Sequence, residues 1–255
     1  MRFRQHTALG LAAACLILSG CTNAADWNAN RSSQIHSFDT SSIQAQPDII
    51  AKLPQGALED GVLDVAASTD YAPAEFLDPS GTAVGYDVDL TNAIAAVLGV
   101  KGTVHTAEFD SIIASIGSKY DAGISSFTVT PERIAEVNMT SYINVGSRFN
   151  VQAGNPKGVE TSAHLQLCGR TIGVQVGTAQ ETTMRDAADK CAQEGKPVLS
   201  VRSYSKQSEA TTGLVGGTID ATYSDSTVAG YAVELTDSQI VTLGEIEDAA
   251  PQGVV

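Results

Sequence analysis

An α/β fold of two lobes, each a sheet flanked by helices with a cleft between them, is what this sequence predicts. Short apolar runs alternate with helical patterns over residues 62–127, and the same alternation resumes over 170–224. Between the two cycles lies an extended segment, SRFNVQAGNP (147–156), ending in a turn. Ligands of open α/β sheets settle beyond the carboxyl ends of the strands, so two facing lobes would enclose a cleft there.

In chain order, MRFRQH carries two arginines, TALGLAAACLIL is apolar, and SGC places small residues before Cys21. That is the layout of a signal peptide over 1–20. The run falls short of the roughly 20 apolar residues that span a bilayer. LSGC (18–21) resembles the bacterial lipobox, whose cysteine is lipid-modified, so lipidation is expected at Cys21, with an extracytoplasmic protein anchored to the bacterial cell membrane. Residues 21–50, rich in Ser, Asn, Gln and Thr and without a sustained period, are expected to be a flexible, lipid-anchored tether.

Lobe 1 is expected over 51–149. VLDVAA (62–67) reads as a strand, DLTNAIAAVLG (89–99) as a helix capped by Asp89 and ended by Gly99, and VHTA (104–107) as a strand. FDSIIASIG (109–117) reads as a helix and DAGISSF (121–127) as a third strand. Lobe 2 is expected over 150–245. Its strands are RTIGVQV (170–176), VLSVRSY (198–204) and IDATYS (219–224), separated by helices over 178–193 and 206–217.

The charge balance, 15 Lys plus Arg against 29 Asp plus Glu, repels phosphate backbones, so nucleic acid is excluded as a partner. Four scattered histidines and the lack of CxxC or HExxH spacing give no basis for a metal, and no cofactor is expected. Cys15 leaves with the signal peptide and Cys21 takes the lipid, which leaves Cys168 and Cys191 as a pair in an oxidising compartment. A disulfide between them is expected, with two free buried thiols as the alternative.

SSFTVTPER (125–133) gathers four hydroxyl side chains and an arginine in a chain of net charge −14. Ser125, Ser126 and Thr128 fall at or just past the carboxyl end of the 121–127 strand. Thr130 suits an N-cap and Pro131 a first helical residue, so Arg133 lies in the first turn. A helix N-terminus, hydroxyl donors and a guanidinium with two parallel N–H groups make a carboxylate receptor. Surface pairing of Arg133 with Glu132 or Glu136 is the alternative. Asp225, at the end of a lobe 2 strand, would hold an ammonium across the cleft; it also suits an N-cap of STVAGYAVEL, and the two roles are compatible. Arginine on one wall and aspartate on the other describe a zwitterion the size of an α-amino acid.

STDYAPAEF (68–76), GYDVDL (85–90), FDSIIASI (109–116), YDAGISSFTVTPER (120–133), IGVQVGTAQE (172–181) and IDATYSD (219–225) resemble, in order and spacing, the polar amino-acid binding proteins of ABC importers. The likeness covers residues 55–255. It implies a periplasmic-binding-protein-like fold (type II) that closes on a polar amino acid by hinge bending, as a monomer, and delivers it to an ABC permease with its ATPase. It also implies that Tyr71 and Phe109 wall the ligand. Ser126, Thr128, Arg133 and Thr178 would take the α-carboxylate, and Asp225 with the Ser125/Ser126 region the α-ammonium.

Ser68 stands where many members carry an aspartate that reads the ligand side chain, and Ala179 where a threonine often assists Thr178. Relatives continue past the position of Val255 with helices that complete lobe 1, so 246–255 is expected to be the start of the return to lobe 1, with the remainder missing because the sequence is a fragment or because lobe 1 is built incompletely. Two alternatives are a cleft enzyme of lyase or dehydratase type, and a ligand-sensing module for a receptor. Asp87 or Glu75 could supply the general acid or base of such an enzyme, but without GxSxG or a Cys/His pair, and with both acids read as surface groups at the cleft rim, no enzyme is expected.

Overall fold

The computed structural model describes residues 37–255. The expected signal peptide, Cys21 and the first part of the expected tether lie outside the described residues. The last residues assigned to that tether are held by the folded body. The Phe38 N–H donates to the Asp89 carboxylate (2.9 Å) and the Gln46 N–H to the Val97 carbonyl (2.8 Å), ahead of a single helical turn, α1 (Pro47–Ile50). Acceptors on a neighbouring helix hold these backbone donors in place.

Lobe 1 is built on β1 (Val62–Ala67), predicted at those bounds. A small antiparallel sheet follows, made of β2 (Asp70–Tyr71), β3 (Glu75–Leu77) and β4 (Ala83–Val84). Strands this short show no periodicity, so the sequence did not announce them. Helix α2 (Tyr86–Leu98) is capped by Gly85 at φ 123° rather than by Asp89; a Cβ at Gly85 would overlap the Ala74 carbonyl, which only glycine avoids. Its apolar buried face is Val88 and Ala95, with Leu90 and Ile94 packed at the edge, and left-handed Gly99 ends it as predicted.

β5 (Lys101–Thr106) pairs parallel with β1, α3 (Phe109–Ser115) crosses over, and β6 (Ala122–Gly123) pairs on β1's other side. The strand predicted over 121–127 is broken. Ser126 turns to φ 51°, and β7 (Phe127–Thr128) joins a different sheet. α4 (Pro131–Glu136) begins as predicted, with the Thr130 hydroxyl accepting the Arg133 N–H (3.3 Å).

β8 (Thr140–Gln152) starts well before the predicted connector. After a 3-10 turn (His164–Leu167) come β9 (Thr171–Gln175), α5 (Ala179–Gln193), β10 (Ser200–Tyr204), α6 (Gln207–Val215), β11 (Ala221–Asp225), α7 (Ser226–Leu235) and β12 (Ile240–Val254). The sheet runs β10-β9-β11-β8-β12-β7, parallel in β10, β9 and β11. β8 and β12 are antiparallel partners from Ile240 opposite Gln152 to Val254 opposite Thr140. Their far ends reach lobe 1, where Gln252 pairs with Thr128 and Val255 exchanges backbone bonds with Gly123. The lobes are thus joined by two crossing strands.

Each lobe has its own core. Val65, Ile112, Ile124 and Phe127 fill the first; Phe149, Leu167, Ile172, Met184 and Tyr223 fill the second. Full burial of side chains of this kind contributes about 1.5–3 kcal/mol each. A Cys168–Cys191 disulfide (Cα–Cα 5.7 Å) ties the 3-10 turn to the last turns of α5. Among the described residues no helix is long and apolar enough to cross a membrane.

Candidate functional site

Thr130 and Pro131 start α4 so that Arg133 projects from its first turn into the gap between the lobes. Its guanidinium sits 5.5 Å from the Phe109 ring centre and 5.4 Å from that of Phe127. One nitrogen, Nη1, donates to the Thr128 carbonyl (2.7 Å); Nη2 reaches across to the lobe 2 carbonyl of Gly177 (3.0 Å). Burial lowers its pKa from the usual value, and the Asp225 charge opposes that shift. Pairing with Glu132 or Glu136 is not what this guanidinium does.

Asp225 faces it from lobe 2. Although it occupies the N-cap position of α7, its side chain makes no capping bond. Its oxygens accept instead from the Gln180 amide (2.7 Å) and the Gln252 amide (2.6 Å), and its backbone N–H donates to the Tyr71 hydroxyl (3.2 Å). Burial pushes this carboxyl up to about 6, against the pull of those hydrogen bonds.

Tyr71, Phe109, Ser126, Thr128, Arg133, Thr178 and Asp225 line one pocket between the lobes, together with Ala179 and Gln180 from the first turn of α5. Its volume is about 10 Å³, which is space for about one water molecule. The Thr178 hydroxyl is engaged locally, capping Glu181 N–H (3.1 Å) and donating to the Gln175 carbonyl (2.8 Å), so Thr178 meets the pocket chiefly as the start of a helix with partial positive charge. Polar contacts clasp the lobes across the gap, among them Arg133 to Gly177, Tyr71 to Asp225, the Gln175 amide to the Ser68 hydroxyl (3.1 Å), the Ser208 N–H and hydroxyl to the Asp70 carboxylate (both 3.3 Å), and the Tyr86 hydroxyl with that of Thr227 (3.4 Å).

Ser125 is not in this pocket. It is buried behind it, donating to Glu75 and accepting the Ser68 N–H (3.0 Å). Nor are Glu75 and Asp87 surface acids: they are 0% and 1% exposed. Ser126 donates both its N–H (2.8 Å) and its hydroxyl (3.1 Å) to Asp87, whose second oxygen accepts from Tyr142 (2.6 Å). With its hydrogen committed there, the Ser126 hydroxyl offers the pocket lone pairs rather than a donor. Sequence reasoning missed Gln175, Gln180, Gln252 and Tyr142; a glutamine carries no charge signal, and only pairing of β12 with β7 brings Gln252 near Asp225. Among the described residues no cluster of His, Cys, Asp or Glu is arranged to hold a metal ion.

The residue profile of the bacterial extracellular solute-binding proteins, family 3, matches residues 63–233. The arginine-binding protein ArgT of Corynebacterium glutamicum is 30% identical over 209 residues, 81% of this chain and 68% of that protein. The L-arginine-binding protein of Pseudomonas aeruginosa is 32% identical over 183 residues, 69% of this chain and 65% of that protein. Among solved structures, an ancestral arginine-binding protein bound to arginine is similar with a TM-score of 0.70 at 31% identity, over 76% of this chain and 83% of that one. The ancestral amino acid-binding protein AncCDT-1, a precursor of cyclohexadienyl dehydratase, is similar with a TM-score of 0.68 at 29% identity, over 77% of this chain and 82% of that one. With two lobes, a polar cleft and a match over most of its length, this chain belongs to the bacterial extracellular solute-binding proteins, family 3.

Proposed function

We propose that the protein is a lipoprotein, anchored through Cys21 outside the cytoplasm, that captures a polar amino acid as a monomer and delivers it to an ABC permease with its ATPase. The observation that carries this reading is the pair Arg133 and Asp225, one from each lobe, in one pocket. In this reading the α-carboxylate lies between Arg133, Thr128 and the start of α5, and Tyr71 and Phe109 wall the ligand. The α-ammonium lies between Asp225 and the acceptor oxygens of Ser126. Ser125 supports the cleft wall from behind, accepting the Ser68 N–H, and does not touch the ligand.

The space of about 10 Å³ between Arg133 and Asp225 is too small for an amino acid that touches both, so in this reading the lobes separate for entry; a recess of about 250 Å³ shares Thr128, Ala179, Gln180 and Asp225 with it. The two crossing strands are the natural hinge, and their register shifts between Leu243 and Glu247 and between Glu247 and Ala250 mark where they bend. Ligand favours closure because only the closed cleft lets it touch both lobes. Arginine is the first ligand to try, since several relatives are named for it; the neighbouring recess beside Ser68 sets Asp70 and Glu108 against Lys206.

The test is calorimetry of wild type and Arg133→Lys against the twenty amino acids. A point charge cannot replace two bonds to one carboxylate, so affinity should fall about 10- to 100-fold. Unchanged affinity in the variant would remove Arg133 from the site.

A further inference from the structure

The cleft contains a second set of acids that ligand capture does not itself call for. Glu75 on β3 and Asp87 on α2 are both buried side by side: the Asp87 N–H donates to the carbonyl of Ala74, the residue before Glu75 (2.9 Å), and the consecutive residues Ser125 and Ser126 bond Glu75 and Asp87 respectively. Among the described residues neither forms an ion pair with a Lys, Arg or His. Asp87 is supplied with three donors: the Tyr142 hydroxyl on Oδ1, and the Ser126 N–H and hydroxyl on Oδ2. Glu75 has one, the Ser125 hydroxyl on Oε1. Its Oε2 is buried with no donor at all.

Two adjacent carboxylates in a dry site without a counter-ion are strongly unfavourable, whereas one proton between them removes the repulsion and supplies the missing bond. Three donors favour the ionised form of Asp87, so the proton resides on Glu75. We propose that Glu75 and Asp87 are a one-proton carboxyl pair, Glu75 neutral and donating to an ionised Asp87, and that Asp87 is thereby the positioning residue that fixes Ser126 in the cleft wall.

Ser126 is the segment's strained residue. A non-glycine at φ 51° persists only where its surroundings over-determine it, and two bonds to one carboxylate do so. The same carboxylate, through Tyr142, ties the cleft wall to β8, one of the two strands between the lobes. The other titratable groups facing the pair are Tyr71 from β2, Tyr86 from α2, Tyr142 from β8 and Asp225 from β11. None is a cation. Burial and mutual repulsion drive Glu75 well above the ordinary carboxylate range, and burial raises Asp87. An ionised Glu75 would also add its charge to that of Asp87 near Asp225.

The functional half of this proposal rests on the solute-binding reading above, and infrared difference spectroscopy separates the two. At pH 8, wild type minus Glu75→Gln should show the C=O stretch of an un-ionised carboxylic acid. Its absence overturns the shared proton whatever the protein binds. With each of the twenty standard amino acids as probe, Glu75→Gln keeps a neutral donor to Asp87 and should weaken binding less than threefold. Asp87→Asn should weaken it more than tenfold. Equal losses in the two variants, or binding by Asp87→Asn as tight as wild type, overturn the positioning role. If no amino acid binds wild type, the solute-binding reading and with it the positioning role fail, while the spectrum still decides the proton. Should Asp87→Asn not fold, Glu75→Asp, which keeps the acid but shortens its reach to Asp87, serves instead; full binding by that variant overturns the role.

Discussion

Replacing Asp225 by asparagine should stabilise the protein and disable it. Burial lifts this carboxyl from 3.8 to about 6, and at about 1.4 kcal/mol per pH unit that difference corresponds to about 3 kcal/mol. The sign follows from linkage. An acid whose pKa is higher in the folded chain destabilises it when ionised, so the deficit is absent below pH 3.8, grows through the interval, and is complete above pH 6. Asparagine removes the charge but turns one acceptor into a donor facing the Gln180 or Gln252 amide, a loss of about 1 kcal/mol. The net gain at pH 7.5 is then roughly 2 kcal/mol, or about 4–8 °C in melting temperature. It should fade to nothing or reverse by pH 4.

Binding carries the opposite sign. An ammonium ligand requires the ionised carboxylate, so wild-type affinity should drop about tenfold per pH unit below 6. Asp225→Asn should bind weakly at every pH, without that slope. Asp70, Glu75 and Asp87 are shifted in the same direction, so the difference between wild type and variant is the quantity to read, by thermal melts and calorimetry from pH 4 to 8. A variant less stable than wild type at pH 7.5, with a parallel affinity slope, would refute the ammonium assignment.

Two further substitutions probe closure and the disulfide. Gly177 stands at φ 77°, and an alanine Cβ there would approach the Asp110 Cβ to 2.8 Å across the cleft. Gly177→Ala should therefore reduce amino-acid affinity at least fivefold by resisting closure, with about 1 kcal/mol lost from folding stability; unaltered affinity would show that the cleft closes differently. Breaking Cys168–Cys191, by reductant or by the double serine variant, should remove about 3 kcal/mol and lower the melting temperature by about 6–12 °C. A melt insensitive to reductant would contradict that.

Much of the architecture was legible because it is local. Val62–Ala67, the helix ending at Gly99 and the α4 start at Thr130 and Pro131 follow from runs, periods and caps that lie within a few residues of one another. The failures share a cause. Gly85, not Asp89, opens α2 because of a carbonyl eleven residues earlier; the 121–127 strand breaks at Ser126 because Asp87 takes its N–H; Glu75 and Asp87, polar in sequence and so read as surface, are interior because each has partners distant in the chain.

The sequence by itself determined the alternation of strands and helices, the cysteine pair, and the hydroxyl-rich turn that delivers Arg133, since propensity, capping and residue chemistry act over short separations. Only the tertiary structure decided that Asp225 is gripped by Gln180 and Gln252 rather than capping its helix, that Ser125 stands behind the cleft, and that two acids are buried side by side. Those outcomes depend on which oxygens and nitrogens meet once β8 and β12 have brought the lobes together, and on the removal of water that makes each buried charge answerable to its neighbours.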